Sequence, residues 1–460
     1  MASYRTIGLT VSTAVFMQFL DSTALTTALP AIGRDLQVPA VSLNVALLAY
    51  QLALAAFIPL GSVAADRFGA RNTFAASLLV FLCGSLICAS AQTLPQLIAA
   101  RAFQGLGGAV MIPVSRALVV RSAQSHELVS AMNWLLIPGI VGPLMGPVVG
   151  GLLVTYASWH WIFLINVPVA LLGIGCTLAL VPDNGERTRG PIDFTGMALI
   201  GSTLVCLIFG LSSIAQPHAG GQAALLLLAG LALGLLYIRH AAKTPTAPID
   251  LSLLDIASFR HSMIAGSIMR SIVGASGFLL PLWFQLAMGM SAAKSGMLTV
   301  ASAMGALLCR FLAAPAMRRA HPRTLTLAGA GCVVLALCAT ATLHAGLPHR
   351  WFLLILFLQG LSTAIPLMLI SAVAYVDIPA ERLSAATGFY TTIQQVTLSL
   401  GVTAGVWAVA AMRWTTNSTP HDDLTYRGGL LMLAAFAVVA LLAARKISPA
   451  ALGALRRPGG

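Results

Sequence analysis

The sequence predicts an all-α membrane protein: two six-helix bundles with two helices inserted between them, fourteen transmembrane helices in all, and both termini in the cytoplasm. Three observations lead there. Of the 460 residues, 58% are hydrophobic and only 8% charged, whereas soluble chains carry about 25% charged residues. Apolar runs of roughly 20 residues, long enough to cross a ~30 Å hydrocarbon core as a helix, recur from end to end. The runs are continuous rather than alternating, and in lipid the backbone must be satisfied internally, so they read as helices and not as barrel strands.

The first span, near 8–30, follows a stretch with one Arg and has no small-residue cleavage site close behind it, so it is expected to stay as a helix and not to be removed as a signal peptide. Further spans near 43–65, 73–91, 95–116, 131–154 and 161–181 complete a first bundle over residues 1–181. The linker PDNGERTRGPIDFTG (182–196) then opens a segment, 182–258, that carries the inserted spans near 194–214 and 222–239. The second bundle, 259–460, takes spans near 261–288, 295–317, 324–344, 351–376, 384–412 and 428–445 and ends in a short basic tail. Termini-in follows from the basic residues. Of the 26 Lys and Arg, 18 then fall on the cytoplasmic side, 5 outside, and 3 (Arg101, Arg270, Arg310) within spans. The halves repeat faintly. FQGL at 103–106 returns as LQGL at 358–361, and DRFGARNTF at 66–74 has a worn counterpart in MRRAHPRTL at 317–325. Parallel six-helix repeats are the architecture of a large class of secondary transporters.

The net charge of +13 is a topology signal here. No zinc spacing and no basic stripe interleaved with aromatics accompanies it, so nucleic acid is not an expected partner. All seven cysteines lie in apolar spans without a CxxC pair and read as small buried hydrophobes. QGLGGA (104–109) lacks the GK[ST] of a phosphate loop and sits inside a span. No His pair has metal spacing. No enzyme activity, metal or cofactor is expected, apart from a proton as coupling ion.

Of the 13 acidic residues, Asp21 alone sits inside a span. A charge at that depth costs at least ~2.5–3.5 kcal/mol and marks a cavity or proton path more often than an accident. Asp21 lies about 14 Å from the outer end of the first span and Arg101 roughly 9 Å into the fourth. That difference is within reach of an Arg side chain. The functional reading is that Asp21 carries a coupling proton and Arg101 senses its charge. The structural reading makes Asp21 a cap or interhelical hydrogen-bond partner and ties Arg101 to carbonyls.

PGIVGPLMGPVVGGLL (138–153), in the fifth span, sets Gly142, Gly146, Pro147, Gly150 and Gly151 together. Glycines four apart let helices approach closely, and Pro147 removes a backbone donor. The segment is a pivot or tight seal, or simply close packing. SVAADRFGARN (62–72) is a charged turn with Gly69 at its tip. Asp66, Arg67 and Arg71 there are either a topology anchor or a latch between the bundles on the inside. Arg270 and Arg310 are cations with no acidic residue in the second half's spans to pair with; carbonyls, water or an anionic substrate group are their candidate partners. Gln51, Gln104, Gln285 and Gln359 are candidate cavity polar groups, and Phe278, Trp283, Phe284 and Tyr390 candidate aromatic contacts, with plain helix packing as the competing account of each.

These motifs resemble the major facilitator superfamily over essentially the whole chain, and more narrowly its fourteen-helix drug:proton antiporter branch, typified by EmrB and QacA. LDSTALTTALP (20–30) is similar to the branch's first-helix signature, DRFGARN (66–72) to the superfamily's cytoplasmic signature, and RAFQGLGGA (101–109) to the fourth-helix signature. GPLMGPVVGG (142–151) resembles the antiporter signature, the most specific of the set, and ASWHWIFLINVP (157–168) the entry into the sixth helix. Ser62, Ala64, Ala70 and Met317 depart from the cytoplasmic signature and its repeat.

The resemblance implies proton-driven export by alternating access, with Asp21 and Arg101 in the proton role and Asp66, Arg67 and Arg71 in the inner latch. The expected activity is export of lipophilic or weakly cationic drugs and other small molecules across the bacterial inner membrane. The alternative is a narrow-specificity transporter of a metabolite or organic anion. A membrane enzyme or sensor would need a catalytic cluster or soluble domain, and neither is visible. Expected partners are a small-molecule substrate, protons and membrane lipid, with the protein a monomer. The sequence carries no feature for an adaptor protein that would extend the path outward.

Overall fold

A computed structural model describes residues 4–122, 127–182, 193–215, 219–244 and 248–454. Most of the 182–196 linker and the basic tail beyond residue 454 therefore lie outside the described residues. The chain forms two compact units, Met1–Pro248 and Ile249–Gly460.

The first unit contains α1 (Tyr4–Asp35), α2 (Asn44–Phe68), α3 (Ala70–Ala89), α4 (Leu94–Ser122), α5 (Leu128–Tyr156), the short α6 (Trp161–Leu164), α7 (Asn166–Leu180), α8 (Phe194–Ile214) and α9 (Gly220–Ala241). The second contains α10 (Ala257–Leu282), α11 (Ala292–Arg319), α12 (Pro322–Ala341), α13 (His349–Val373), α14 (Leu383–Thr416), α15 (Asp423–Arg445) and the short α16 (Pro449–Ala454). A π-helical turn, Trp283–Ala287, extends α10.

Among the described residues, 12 helices are long and apolar enough to cross a membrane. The chain is an all-helical, multi-pass membrane protein. Two of the expected spans are helical but fall outside that count. In α1, Gln18, Asp21 and a run of threonines dilute the hydropathy. In α5 the stretch whose side chains are all described is Val141–Tyr156, apolar but shorter than a span. The inserted pair packs as a hairpin, with α8 also against α2. Leu225, Leu228, Leu231 and Leu235 leave one side of α9 exposed and apolar, the surface a lipid-facing helix presents.

Local chemistry sets the boundaries. Asp193 caps α8 by accepting from Gly196 N at 2.8 Å, and Pro322 opens α12 behind His321. At Gly69 the chain takes φ +86°, a value L side chains avoid, and α2 passes directly into α3. The polar character of α1 is absorbed locally: the hydroxyls of Thr10, Ser12, Thr13, Thr23 and Thr26 all donate to carbonyls three or four residues back. Asp21 has no such local outlet, so its partners must come from other helices.

Within the first unit α1 lies along α5, α2 and α3 both lie on α4, and α3 meets α7. Within the second, α10 lies along α14, α11 along α13, and α12 on α13 and α15. The α1–α5 seam is made by the glycines of the fifth span. A Cβ at Gly142 would sit 2.8 Å from Phe19 Cβ, and one at Gly150 2.7 Å from the Ala24 carbonyl oxygen. A Cβ at Gly146 would collide with Thr23 Oγ1. Gly151 is buried beside them, and the helix continues through Pro147.

The α10–α14 seam is built the same way 255 positions on: Gly401 against the Ser271 backbone, and Gly405 against Phe278. Gly401 and Gly405 stand at the positions of Gly146 and Gly150, so close packing accounts for these two glycines in both halves.

Candidate functional site

Two further glycines bring the site's helices together. Gly84 lets α3 approach α4, where an added Cβ would lie 2.6 Å from Gln104 Cα. Gly105 does the same for α2, with the Tyr50 carbonyl oxygen at 2.8 Å. The neighbours of these contacts, Ser85, Gln104, Arg101 and Tyr50, are thereby drawn towards Asp21 on α1. Asn166 opens α7, whose start is held by the turn before it. Trp159 donates its indole N–H to Asp35, at the end of α1, at 2.8 Å, and stacks on His160.

Asp21 and Arg101 are both completely buried, and Arg101 Nη1 lies 2.5 Å from Asp21 Oδ2. The same Nη1 donates to Gln104 Oε1 at 2.6 Å. The other carboxylate oxygen, Oδ1, accepts from Asn166 Nδ2 at 2.9 Å and Gln104 Nε2 at 3.2 Å. Ser85 Oγ accepts from both amides, at 2.8 Å from Gln104 and 3.2 Å from Asn166. The guanidinium sits over the Tyr50 ring, 4.1 Å from its centroid, with Phe163 at 5.8 Å. The charge of Arg101 is thus met by one carboxylate and two aromatic faces. Both carboxylate oxygens accept, and every polar group facing them donates. The arrangement suits an ionised Asp21 and is closed to water.

Gln104, expected only as a cavity residue, is the hub of this network. Asn166, Ser85 and Tyr50 are the members that sequence reasoning missed. The signal for Asn166 was a lone amide in the apolar run IFLINVP (162–168). The signal for Ser85 was the repeat. Gln359, 255 positions after Gln104, accepts from Thr340 Oγ1 at 3.2 Å and donates to Ser276 Oγ at 3.3 Å. Thr340 stands at the place of Ser85 and Ser276 at that of Asp21, while buried Leu356 stands at that of Arg101. The second unit thus contains the same polar scaffold without its charges.

The other candidate residues are placed as follows. Gln51 is buried on α2. Trp283 is fully buried and donates to Asp423 Oδ1 at 2.6 Å, tying α10 to the start of α15. Arg270 lies on α10 and bonds Gln394 Oε1 on α14 at 2.6 Å. Arg310 is exposed on α11. In the α2–α3 turn, Arg67 is exposed, Asp66 half-buried, and the Arg71 guanidinium donates to the Leu178 carbonyl at the end of α7, within the same unit. Among the described residues no cluster of three or more His, Cys, Asp or Glu is suited to a metal.

Comparison with known proteins places the chain. Residues 11–402 match the Major Facilitator Superfamily. The chain belongs to the major facilitator superfamily. It is 35% identical over 401 residues to "Probable transport protein HsrA" of Haemophilus influenzae, covering 87% of this chain and 86% of that protein. It is 34% identical over 401 residues to "Putative multidrug resistance protein MdtD" of Pectobacterium carotovorum, with 86% and 85% covered. Among solved structures it is similar to the POT family transporter PepTSo, with a TM-score of 0.70 at 14% identity over 97% of this chain and 98% of that one. It is likewise similar to the nucleoside transporter NupG, with a TM-score of 0.64 at 15% identity over 96% and 98%. These likenesses to solved structures show the fold. The relatives are transporters and not enzymes, and this chain is a membrane transporter of that superfamily.

Proposed function

We propose that this transporter is a proton-coupled antiporter that exports lipophilic small molecules across the bacterial inner membrane by alternating access, as a monomer of fourteen spans with cytoplasmic termini. The observation that carries the reading is the sealed Asp21–Arg101 pair, the one fully buried carboxylate among the described residues held against the one fully buried guanidinium. The multidrug name of the MdtD relatives supports the substrate class.

The geometry supplies a mechanism. Protonating Asp21 removes the counter-ion of a guanidinium that is 0% exposed. Removing one partner of a buried pair costs about 3–5 kcal/mol. A penalty of that size shifts a two-state equilibrium by roughly 10²–10⁴, towards a conformation in which Arg101 finds other partners. With no exposure of the carboxylate in the present conformation, loading and release of the proton must occur in other conformations. That requirement couples the proton to the conformational cycle. Inward flow of one proton supplies about 2.3 kcal/mol per 100 mV and ~1.4 per pH unit.

Asp21 is fully engaged with Arg101, Gln104 and Asn166, so no intramembrane carboxylate among the described residues is left over for a cationic substrate. A second reading, transport of an organic anion, is favoured by Arg270. The test of the coupling follows energised efflux of lipophilic dyes from cells holding equal amounts of wild type and Asp21→Asn. Export that is abolished both by a protonophore and by the substitution is the expected result. A mutant that pumps as well as the wild type makes Asp21 structural and ends the coupling assignment.

A further inference from the structure

Arg270 differs from Arg101 in what meets its charge. It lies well inside α10, twelve residues from the helix end at Leu282, yet among the described residues it has no ion pair. One amide oxygen, Gln394 Oε1 at 2.6 Å, is its polar contact; its Nε is buried without a hydrogen-bond partner, as are Nε and Nη2 of Arg101, so what separates the two is the missing counter-ion. A guanidinium has five N–H donors and suits bidentate recognition of a carboxylate. A neutral amide accepts one of those bonds and leaves the charge unbalanced, at a depth where charge is expensive. The first unit answers its buried guanidinium with a carboxylate; the second supplies none.

The surroundings of Arg270 resemble a recognition surface more than a structural tie. Its side chain remains partly exposed. One turn further back on α10, a Cβ at Gly266 would lie 3.2 Å from the Tyr390 hydroxyl, which places that hydroxyl against the turn preceding the guanidinium. On α14, Tyr390 and Gln394 are likewise one turn apart, so both helices present this pair of positions in register. Tyr390 continues into an aromatic cluster, with Tyr375 at 5.6 Å and Phe259 at 6.5 Å between ring centroids. A single cation, an amide, a phenol and aromatic rings are the elements of a site for a lipophilic organic monoanion, with a carboxylate or sulfonate on the guanidinium and an apolar body against the rings.

We infer that Arg270, with Gln394 and Tyr390, binds the anionic group of the transported substrate, so that lipophilic monoanions are a substrate class of this protein. The inference rests on the transport reading above and makes it narrower. It also fits the energetics. Exchanging one outgoing monoanion for one incoming proton moves two charges across the membrane, so the potential contributes twice what it gives a neutral substrate.

The test is equilibrium binding to the purified full-length protein in detergent, with two probes of matched shape, 1-naphthoate and the neutral 1-naphthalenemethanol. The wild type should bind naphthoate more tightly. Arg270→Gln should weaken naphthoate about tenfold or more, the scale of a lost charge-assisted hydrogen bond, and leave naphthalenemethanol within twofold. Arg270→Lys keeps the charge but loses the fork, so its naphthoate affinity should fall between those of the wild type and Arg270→Gln. Gln394→Glu sets an internal carboxylate opposite the guanidinium and should abolish naphthoate binding while the protein stays folded. A structural Arg270 would be indifferent or better settled by that change, with no effect on the probe.

Naphthoate affinity within twofold of wild type in both Arg270→Gln and Gln394→Glu overturns the inference. So does a wild type that binds naphthoate no better than naphthalenemethanol. Efflux of a neutral dye and its loss in Asp21→Asn are read separately, so proton coupling can stand while the anion site falls.

Discussion

The second unit suggests how to take the charged pair out of the first without leaving a hole. Asp21→Ser alone copies Ser276 and strips Arg101 of its counter-ion while Arg101 stays 0% exposed. Gln104 Nε2 and Asn166 Nδ2 lose an acceptor as well, although Ser85 Oγ still serves both. The unpaired guanidinium dominates the cost, about 3–5 kcal/mol. At 2–4 °C per kcal/mol for a unit of this size, that is a drop of roughly 10 °C in melting temperature. Adding Arg101→Leu copies Leu356, removes the orphaned charge, and should recover most of the loss, because an apolar replacement of a buried pair is often neutral. Thermal unfolding of the detergent-solubilised protein, followed by tryptophan fluorescence, measures all three forms. Proton-driven efflux should be absent from both variants, so stability and coupling separate. A single variant that melts within about 2 °C of wild type, or a double variant no more stable than the single, would refute the reasoning that the buried charge sets the penalty.

Three further outcomes follow from the geometry. Gly146→Ala should destabilise by about 1–3 kcal/mol, because its Cβ has Thr23 and the α1 backbone in the way, whereas Gly277→Ala, with nothing within 4 Å, should be neutral or stabilising by up to about 1 kcal/mol; thermal melts compare the pair. Asn166→Leu keeps the number and branching of side-chain heavy atoms but leaves Asp21 Oδ1 with Gln104 alone, and should cost about 1–3 kcal/mol in the same assay. Outside the spans, burial raises the Asp250 carboxyl, but hydrogen bonds from Ser252 and Arg382 and the Arg382 charge outweigh it and hold the group below the usual carboxylate range. Its contribution to stability, at most about 1 kcal/mol for so exposed a pair, is present above the ordinary carboxylate pKa and lost as pH falls through the depressed one. Asp250→Asn should therefore melt slightly lower than wild type at pH 7, and the gap should close in strong acid.

Much of the fold could be read from composition, because lipid leaves a chain this apolar few choices. The pairing of Asp21 with Arg101 could be read too, since both were placed by depth along a helix and the depths matched. Rotation about the helix axis is what depth does not give. Nothing in the local sequence says that Ser85 and Asn166 face inward while Cys83, two residues before Ser85 on α3, faces outward; that follows from where Gly84 and the Trp159–Asp35 contact set α3 and α7. Gln104 was assigned to a cavity for the same reason. Trp283 looked like a substrate contact because an indole in an apolar run has no visible partner. Its partner, Asp423, is 140 positions away. The repeat held more than its two quoted fragments: carried past LQGL, the 255-residue offset pairs Ser85 with Thr340 and Asp21 with Ser276.

That pairing can be run in reverse. If the two scaffolds are equivalent, the charges should be transplantable. Ser276→Asp alone would bury a carboxylate beside Gln359 and Thr340, and Leu356→Arg alone would bury a guanidinium; each should cost about 3–5 kcal/mol as an unpaired charge. Together they would face one another as Asp21 and Arg101 do. Gly360 lies on the Ser302 backbone as Gly105 lies on that of Tyr50, so α11 carries a serine where α2 carries a tyrosine, and the new guanidinium would lack the aromatic face that Tyr50 gives Arg101. The double variant should accordingly be more stable than either single one by 2 kcal/mol or more on the order-of-magnitude scale of coupled neighbours, yet remain below wild type. Melting temperatures of the four forms give the coupling directly. Strict additivity would mean that the two positions do not meet, and the shared offset would then describe sequence ancestry without shared geometry.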